Sequence, residues 1–239
     1  MAARPPPAHN AAMRFPSIRP SIRSTALLFA LLVVPAARAD TFVEPSTEES
    51  FEAVQKVGGR TFLLLGAGAR KPPAPAAYAI ALWVEQEMAH RAFPALAAKV
   101  KGRTRDKLVG GDRSPTFVVW GDFEKIGELR FKEATSAETL RAAFEEGLSP
   151  LLADKVPADL KDRVRAFLAL FDRDLSPGDS IRIHTSPGGA IELEIAGSKK
   201  EVPTDARLQR GIWEIWLGGK PVSNELRRAL IDRIEILGK

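Results

Sequence analysis

Short apolar runs bounded by glycine and proline predict strands in the first third of the chain. Residues 62–65 form one run, closed by Gly66-Ala-Gly68, and residues 78–84 form a second run rich in branched and aromatic side chains. A proline-rich connector, residues 70–76, joins them. Because short β-prone runs flanked by such residues are typical of strands, the two runs are predicted to pair as a hairpin.

Helical periodicity follows in the middle and at the end of the chain. Apolar residues recur every three or four positions in five segments, residues 85–101, 136–148, 160–171, 208–217 and 223–237. Ser136 and Ser223 are predicted N-caps, and Pro94 is expected to break or kink the first helix. Between the first two helices, residues 101–114 indicate a basic loop.

A short apolar run and three segments of alternating apolar and polar positions predict the remaining strands. They cover residues 117–120, 126–132, 181–183 and 191–195, and the last two are joined by a Ser-Pro-Gly-Gly turn. Strands first, helices in the middle, then a hairpin and terminal helices indicate an α+β fold. In this fold, helices pack on one face of an antiparallel sheet.

The charge of the chain is concentrated at its N-terminus. The formal charge is +5, yet residues 1–39 hold five arginines and no acidic side chain, so residues 40–239 are neutral. An apolar run at 26–34 and an Ala-Arg-Ala sequence ending at Ala39 follow the basic segment, as in a secretory signal peptide. We predict cleavage after Ala39, with Met1 or Met13 as the start, and a single periplasmic or secreted domain at 40–239.

Several functional classes are excluded by composition. The chain has no cysteine, and only His90 and His184 remain after cleavage, so no metal site or other cofactor is predicted. A neutral mature chain argues against nucleic acid as a partner. No apolar run after the signal is long enough to span a membrane.

Two short motifs resemble catalytic signatures but lack their partners. Gly66-Ala-Gly68 follows a strand, but Lys71 occupies the third glycine position of a dinucleotide-binding loop. Ser180 lies in a Gly-Asp-Ser-Ile block similar to the start of a GDSL-type hydrolase motif, but no histidine follows His184 to act as its base.

Four ordered blocks resemble the chalcone isomerase family over residues 45–235. They are residues 65–70 (LGAGAR), 79–85 (AIALWVE), 176–189 (SPGDSIRIHTSPGG) and 211–223 (GIWEIWLGGKPVS). The resemblance implies an open-faced β-sandwich, in which a long antiparallel sheet is covered by helices and a ligand cleft lies between the two layers.

The resemblance also implies where catalytic groups would lie. The plant enzymes close a chalcone ring with an arginine, a strand threonine, a tyrosine, lysine and asparagine on a central helix, and a late Ser/Thr. Carried over by position, these become Arg70, Tyr78, Thr139, Ala142, Glu146 and Gln209. The only tyrosine is Tyr78, so the helix has no phenol, and Glu146 in the cleft would repel a phenolate. We therefore expect binding without isomerisation.

Arg70 and Tyr78 indicate a carboxylate site instead. In the fatty-acid-binding branch of the family, an arginine and a tyrosine hold the ligand carboxylate, and here this pair spans the predicted hairpin. The expected ligand is a small apolar carboxylate in an open cleft. The predicted binding residues are Arg70, Tyr78, Trp83, Thr139, Gln209 and Trp213, with Trp216 as a further cleft candidate.

Two alternatives remain open. The chain would be an intramolecular lyase if it turned over a chalcone or an activated enone. It would be a protein-partner or assembly factor with a vestigial cleft if the cleft were filled by its own side chains.

Overall fold

The computed structural model describes residues 40–71, 76–100, 102 and 104–239. The predicted signal peptide and its cleavage site lie outside the described residues. Within the described ranges, no helix combines the length and the apolar character needed to cross a membrane.

A seven-stranded antiparallel sheet forms the centre of the fold. Its strands follow one another in chain order, and each pairs with the next. They are β3 (Val54–Val57), β4 (Arg60–Arg70), β5 (Tyr78–Glu85), β6 (Lys125–Phe131), β7 (Ser180–Ser186), β8 (Ala190–Ile195) and β9 (Ser198–Glu201). Two short strands, β1 (Thr41–Val43) and β2 (Ser50–Glu52), form a separate antiparallel pair. Both predicted hairpins are confirmed.

The helices and the main core lie on one face of this sheet. The helices are α1 (Gln86–Lys99), α2 (Arg105–Gly110), α3 (Arg113–Trp120), α4 (Ala137–Leu148), α5 (Ala158–Ala169), α6 (Ala206–Leu217) and α7 (Asn224–Ala229), with 3-10 turns at Ser149–Leu151 and Ile234–Gly238. On the opposite face, a smaller apolar cluster includes Phe51 of β2 and Phe62 of β4. The predicted α+β architecture is therefore confirmed.

The predicted loop at 101–114 and strand at 117–120 are wrong. The structure forms α2 and α3 there instead. Phe117 to Trp120 has strand-like composition, but Pro115 lies in the first turn of α3, where proline is tolerated because that N–H has no helical acceptor. Val118 and Val119 are then buried on one side of the helix. Tertiary packing thus overrides the local preference.

The predicted C-terminal helix is also shorter than its apolar pattern. α7 ends at Ala229, and the chain then turns so that the Arg233 N–H donates to the Leu65 carbonyl oxygen over 2.8 Å. That carbonyl lies at a β-bulge between Leu64 and Gly66 of β4. The bulge therefore supplies an acceptor to the C-terminal segment.

Glycines in the middle of β4 allow α7 to pack directly on the strand. A Cβ built on Gly66 would overlap the backbone carbonyl oxygen of Ala229, and one built on Gly68 would lie 2.8 Å from the Ala229 side chain. The Gly-Ala-Gly sequence is therefore a packing surface for a helix. It is part of a strand and does not form a turn.

Asp205 caps α6, the helix that carries Gln209, Trp213 and Trp216. Its carboxylate accepts the backbone N–H groups of Arg207 and Leu208 at 2.8 and 3.2 Å. The hydrogen bond from the Arg207 side chain and these backbone bonds lower the pKa of Asp205 to about 2.

We expect Asp205→Ala to lower the free energy of unfolding by about 1–2 kcal/mol at pH 7. The folded-state pKa lies below the unfolded value of 3.8, so the stabilisation is present above about pH 4 and is lost as the pH falls through about 2. Urea unfolding of both proteins between pH 2 and 7 measures this. A stability difference that stays constant down to pH 2 would contradict the role of the charge.

Candidate functional site

The predicted ligand slot lies at one end of β4, β5 and β6, beneath α4 and α6. Arg70 is the last residue of β4 and pairs across the hairpin with Tyr78, the first residue of β5. Tyr78 in turn pairs with Phe131 of β6. The slot is lined by Arg70, Ala76, Tyr78, Phe131, Leu140, Ala143, Phe144, Ile215 and Trp216.

Three polar groups meet in this otherwise apolar slot. The Trp216 indole N–H donates to the Tyr78 hydroxyl oxygen over 2.9 Å. Burial raises the pKa of Tyr78, while the hydrogen bond from Trp216 and the nearby positive charge of Arg70 act in the opposite direction. The phenol therefore stays protonated at neutral pH and can act as a hydrogen-bond donor.

The guanidinium of Arg70 has no carboxylate partner in the described part of the chain. The residues outside that part contain no Asp or Glu at all. The Tyr78 hydroxyl likewise accepts a hydrogen bond but donates none to any described residue. A half-buried cation and a buried O–H group thus lie side by side without an anion, which is the donor set that a carboxylate requires.

The expectation of an open cleft is wrong for this structure. The slot encloses only about 10 Å³, roughly the space for one water molecule. The reason is the size of the side chains around it. The ring centres of Phe144 and Trp216 lie 6.2 Å apart with the rings edge to face, and the ring centres of Tyr78 and Phe131 lie 5.7 Å apart. An apolar ligand would have to displace one or more of these rings.

Trp83 does not belong to the slot. It lies five residues after Tyr78 on β5, and successive strand residues point to opposite faces, so the two side chains lie on opposite sides of the sheet. The Trp83 ring packs edge to face against that of Phe51, with 5.9 Å between the ring centres. Its indole N–H donates to the Glu52 carbonyl oxygen over 2.8 Å. Including Trp83 in the binding set is therefore a mistake that strand parity would have revealed.

Trp213 and Gln209 lie on the sheet side of α6 but do not line the slot. The Trp213 N–H donates to the Thr185 hydroxyl over 2.9 Å, and its ring lies over Gly127 of β6. Gln209 donates to the carbonyl oxygen of Ser186 over 2.7 Å and so holds the β7–β8 turn. Both residues fix α6 to the sheet.

The face of α4 toward the slot is apolar. Thr139, Ala142 and Glu146 lie away from it, and the Thr139 hydroxyl accepts from the N-cap Ser136 over 2.9 Å. The inward positions are each one residue later: Leu140 and Ala143 line the slot, and Gly147 packs against Ile215 of α6. Glu146 is exposed, so the repulsion expected from it in the cleft is absent.

Phe131 and Phe144 were not predicted from the sequence as slot residues, and no hydrogen-bond partner was predicted for Trp216. Phe131 could have been found from register, because it lies opposite Tyr78 on the neighbouring strand. Phe144 lies on the predicted apolar stripe of α4, but nothing in that stripe distinguishes a slot residue from a core residue. In the described residues, no His, Cys, Asp and Glu side chains cluster as a metal site would require.

Comparison with known proteins finds sequence similarity to chalcone isomerases. A family model described as chalcone isomerase-like matches residues 120–232. A chalcone–flavanone isomerase of Saussurea medusa is 26% identical over 193 residues, which cover 76% of this chain and 83% of that protein. An isomerase of Glycine max is 25% identical over 185 residues, which cover 74% and 85% of the two chains.

A solved structure shares the fold. The fatty-acid binding protein AtFAP1 of Arabidopsis thaliana superimposes with a TM-score of 0.65 at 19% identity, over 83% of this chain and 98% of that one. The family match, the relatives and the fold agree with one another. On these grounds the chain is similar to chalcone isomerase-like proteins in both sequence and fold.

Proposed function

We propose that the protein binds a small apolar carboxylate of the fatty-acid type, without catalysis, in the slot between the sheet and α4–α6. The observation that carries this proposal is the Arg70 guanidinium beside the Tyr78 hydroxyl, with no carboxylate of the described chain on either. The fatty-acid binding protein with the same fold supports it. The two donors would hold the carboxylate, and the aromatic side chains would contact the acyl chain.

The apolar face of α4 supports the part of the proposal that the protein does not isomerise its ligand. Ring closure on a chalcone requires groups that polarise the carbonyl and assist the phenolate. Leu140 and Ala143 face the slot from α4 and offer neither a proton nor a charge. Among the described residues of the lining, the polar side-chain groups are those of Arg70, Tyr78 and the indole of Trp216.

Binding in this slot requires it to open. Burying about 14 methylenes at roughly 0.8 kcal/mol each contributes about 11 kcal/mol before any cost. Association, ordering of the chain and displacement of the rings oppose this, which leaves affinity in roughly the micromolar range. In this proposal the protein binds its ligand with moderate affinity and changes its side-chain packing when the ligand enters. With the predicted signal peptide, we place it in the periplasm or outside the cell.

We expect Arg70→Ala to weaken binding of hexadecanoate by at least about 30-fold, because charge-assisted hydrogen bonds to the carboxylate are lost. The free energy of unfolding should change by less than about 1 kcal/mol, since Arg70 has no ion-pair partner to leave behind among the described residues. Isothermal titration calorimetry and native mass spectrometry measure the two affinities.

Lys71→Ala is the matched control. Lys71 is the adjacent residue, is exposed and carries the same charge, so its variant should bind like the wild type. Hexadecanol tests the carboxylate, since an uncharged alcohol should bind weakly to the wild type and equally to Arg70→Ala. Equal binding of hexadecanoate by wild type and Arg70→Ala would refute the proposal.

One observation favours a second candidate, a partner or assembly protein with a vestigial slot. The slot is nearly filled by the protein's own side chains. If that role is correct, neither hexadecanoate nor a chalcone binds at 1:1 stoichiometry, and extraction of the purified protein yields no acyl ligand. Turnover of a chalcone that is lost in Arg70→Ala would instead indicate an intramolecular lyase.

A further inference from the structure

A second recess lies between α1 and α3. It is on the side of the C-terminal end of β5, whereas the slot lies at the N-terminal end of that strand. This groove has a volume of about 660 Å³, within the range of small-ligand sites. Its walls include Ala92 and Leu96 of α1 and Phe117 and Trp120 of α3. Unlike the slot, it is open without any rearrangement, and no residue of the predicted binding set lines it.

The rim of this groove is positively charged. Lys99 and Arg113 are exposed at its edge, and neither forms an ion pair within the described ranges. Asp112 is the acidic residue of the lining, and it is already paired with Arg227. The groove therefore presents two cations that form no ion pair among the described residues.

A buried lysine adds positive charge beneath the Gly121 end of the groove. The Lys125 ammonium donates to the carbonyl oxygens of Gly121 and Phe123 at 2.8 and 3.0 Å and lies 4.7 Å from the centre of the Phe123 ring. Burial lowers the pKa of Lys125 to about 8, against the opposing charge of the exposed Asp122. Lys125 thus remains mainly protonated at pH 7.

Trp120 forms the exposed aromatic wall. It is 58% exposed, whereas the other three tryptophans, Trp83, Trp213 and Trp216, are buried. The Arg210 guanidinium lies 3.6 Å from the centre of its ring. A single exposed aromatic side chain would need no explanation, but Trp120 lines the groove together with Leu96 and Phe117 and so forms part of an apolar wall.

We infer that the α1–α3 groove is a second binding site, and that it takes a single-chain amphiphilic anion. The apolar walls formed by Leu96, Phe117 and Trp120 accommodate the chain, and the cations of the rim attract the head group. The inference does not depend on the slot, since the two sites share no lining residue.

Monododecyl phosphate, used below its critical micelle concentration, is the probe for this site. Acrylamide quenching of tryptophan emission reports mainly Trp120, because the other tryptophans are buried. Saturating probe should reduce the quenching constant at least about threefold, and Trp120→Phe should abolish that change. The double variant Lys99→Gln/Arg113→Gln should weaken the apparent affinity at least about tenfold.

Two controls separate this site from the slot and from nonspecific charge. Arg70→Ala should leave protection of Trp120 unchanged, and it tests the slot independently. Lys155→Gln/Lys199→Gln removes two exposed charges outside the groove lining and should also have no effect. Equal protection by 1-dodecanol, equal affinity of the Lys99→Gln/Arg113→Gln variant, or protection that depends on protein concentration without probe would each overturn the inference. The last outcome would indicate a second copy of the chain in the groove.

Discussion

Gly66→Ala is expected to destabilise the protein by at least about 3 kcal/mol, which lowers the Tm by roughly 6–12 °C for a domain of this size. The added Cβ would overlap the Ala229 carbonyl oxygen and approach the Leu230 carbonyl carbon at 2.9 Å. Both neighbours are backbone atoms, so no side-chain rotation relieves the overlap. To accommodate the methyl group, α7 would have to move away from β4.

The position in the fold adds to this cost. α7 leads into the segment whose Arg233 N–H donates to the Leu65 carbonyl oxygen, beside Gly66 itself. Displacement of α7 therefore threatens this hydrogen bond and also the burial of Leu226 and Leu230. Urea unfolding followed by tryptophan emission and by circular dichroism measures the loss, and the expression level of soluble protein reports a variant that does not fold.

Two glycine variants serve as controls for Gly66→Ala. Gly110 ends α2, and no atom lies within 4 Å of the position that an added methyl group would take, so Gly110→Ala should change stability by less than about 0.5 kcal/mol. Gly68→Ala should be intermediate, because its Cβ would meet side-chain atoms of Leu226 and Ala229 at 2.9 and 2.8 Å. Wild-type stability of Gly66→Ala would show that α7 does not pack on β4 in this way.

Much of the fold can be predicted from the sequence, because alternation and helical periodicity are local signals. β5, the β7–β8 hairpin and α4–α6 all follow from such patterns. The segment Arg113–Trp120 does not, because its apolar residues suit either a strand or a buried helix, and packing on α6 decides between them. The role of Gly66 also depends on a partner more than 160 residues away, which no local pattern reveals.

The pairing of Arg70 with Tyr78 in the candidate site can be predicted from the sequence, but the closure of the slot cannot. Arg70 and Tyr78 face each other because they end the two strands of one hairpin, which the sequence indicates. Trp83 could have been excluded by strand parity. Closure of the slot depends on how the rings of Phe131, Phe144 and Trp216 fill a common volume, and side-chain volumes add up only in three dimensions.

Phe144→Ala should open the slot and thereby strengthen ligand binding while it weakens the fold. The Phe144 ring stacks on Phe171 at 4.3 Å and lies edge to face against Trp216. Its removal should cost about 3–5 kcal/mol in the ligand-free protein. If the proposed function is correct, the variant should bind dodecanoate at least about tenfold more tightly than the wild type, since the ligand no longer has to displace this ring.

Phe167→Ala distinguishes an opened slot from a generally loosened core. Phe167 is fully buried in the same aromatic cluster, 5.4 Å from Phe171, but does not line the slot. Its loss should cost a similar stability and leave the affinity for dodecanoate unchanged. Thermal unfolding with and without ligand measures both effects, because saturating dodecanoate should raise the Tm of Phe144→Ala more than that of Phe167→Ala. Equal shifts in the two variants would mean that the ligand does not enter beside Tyr78, and the carboxylate site would have to be abandoned.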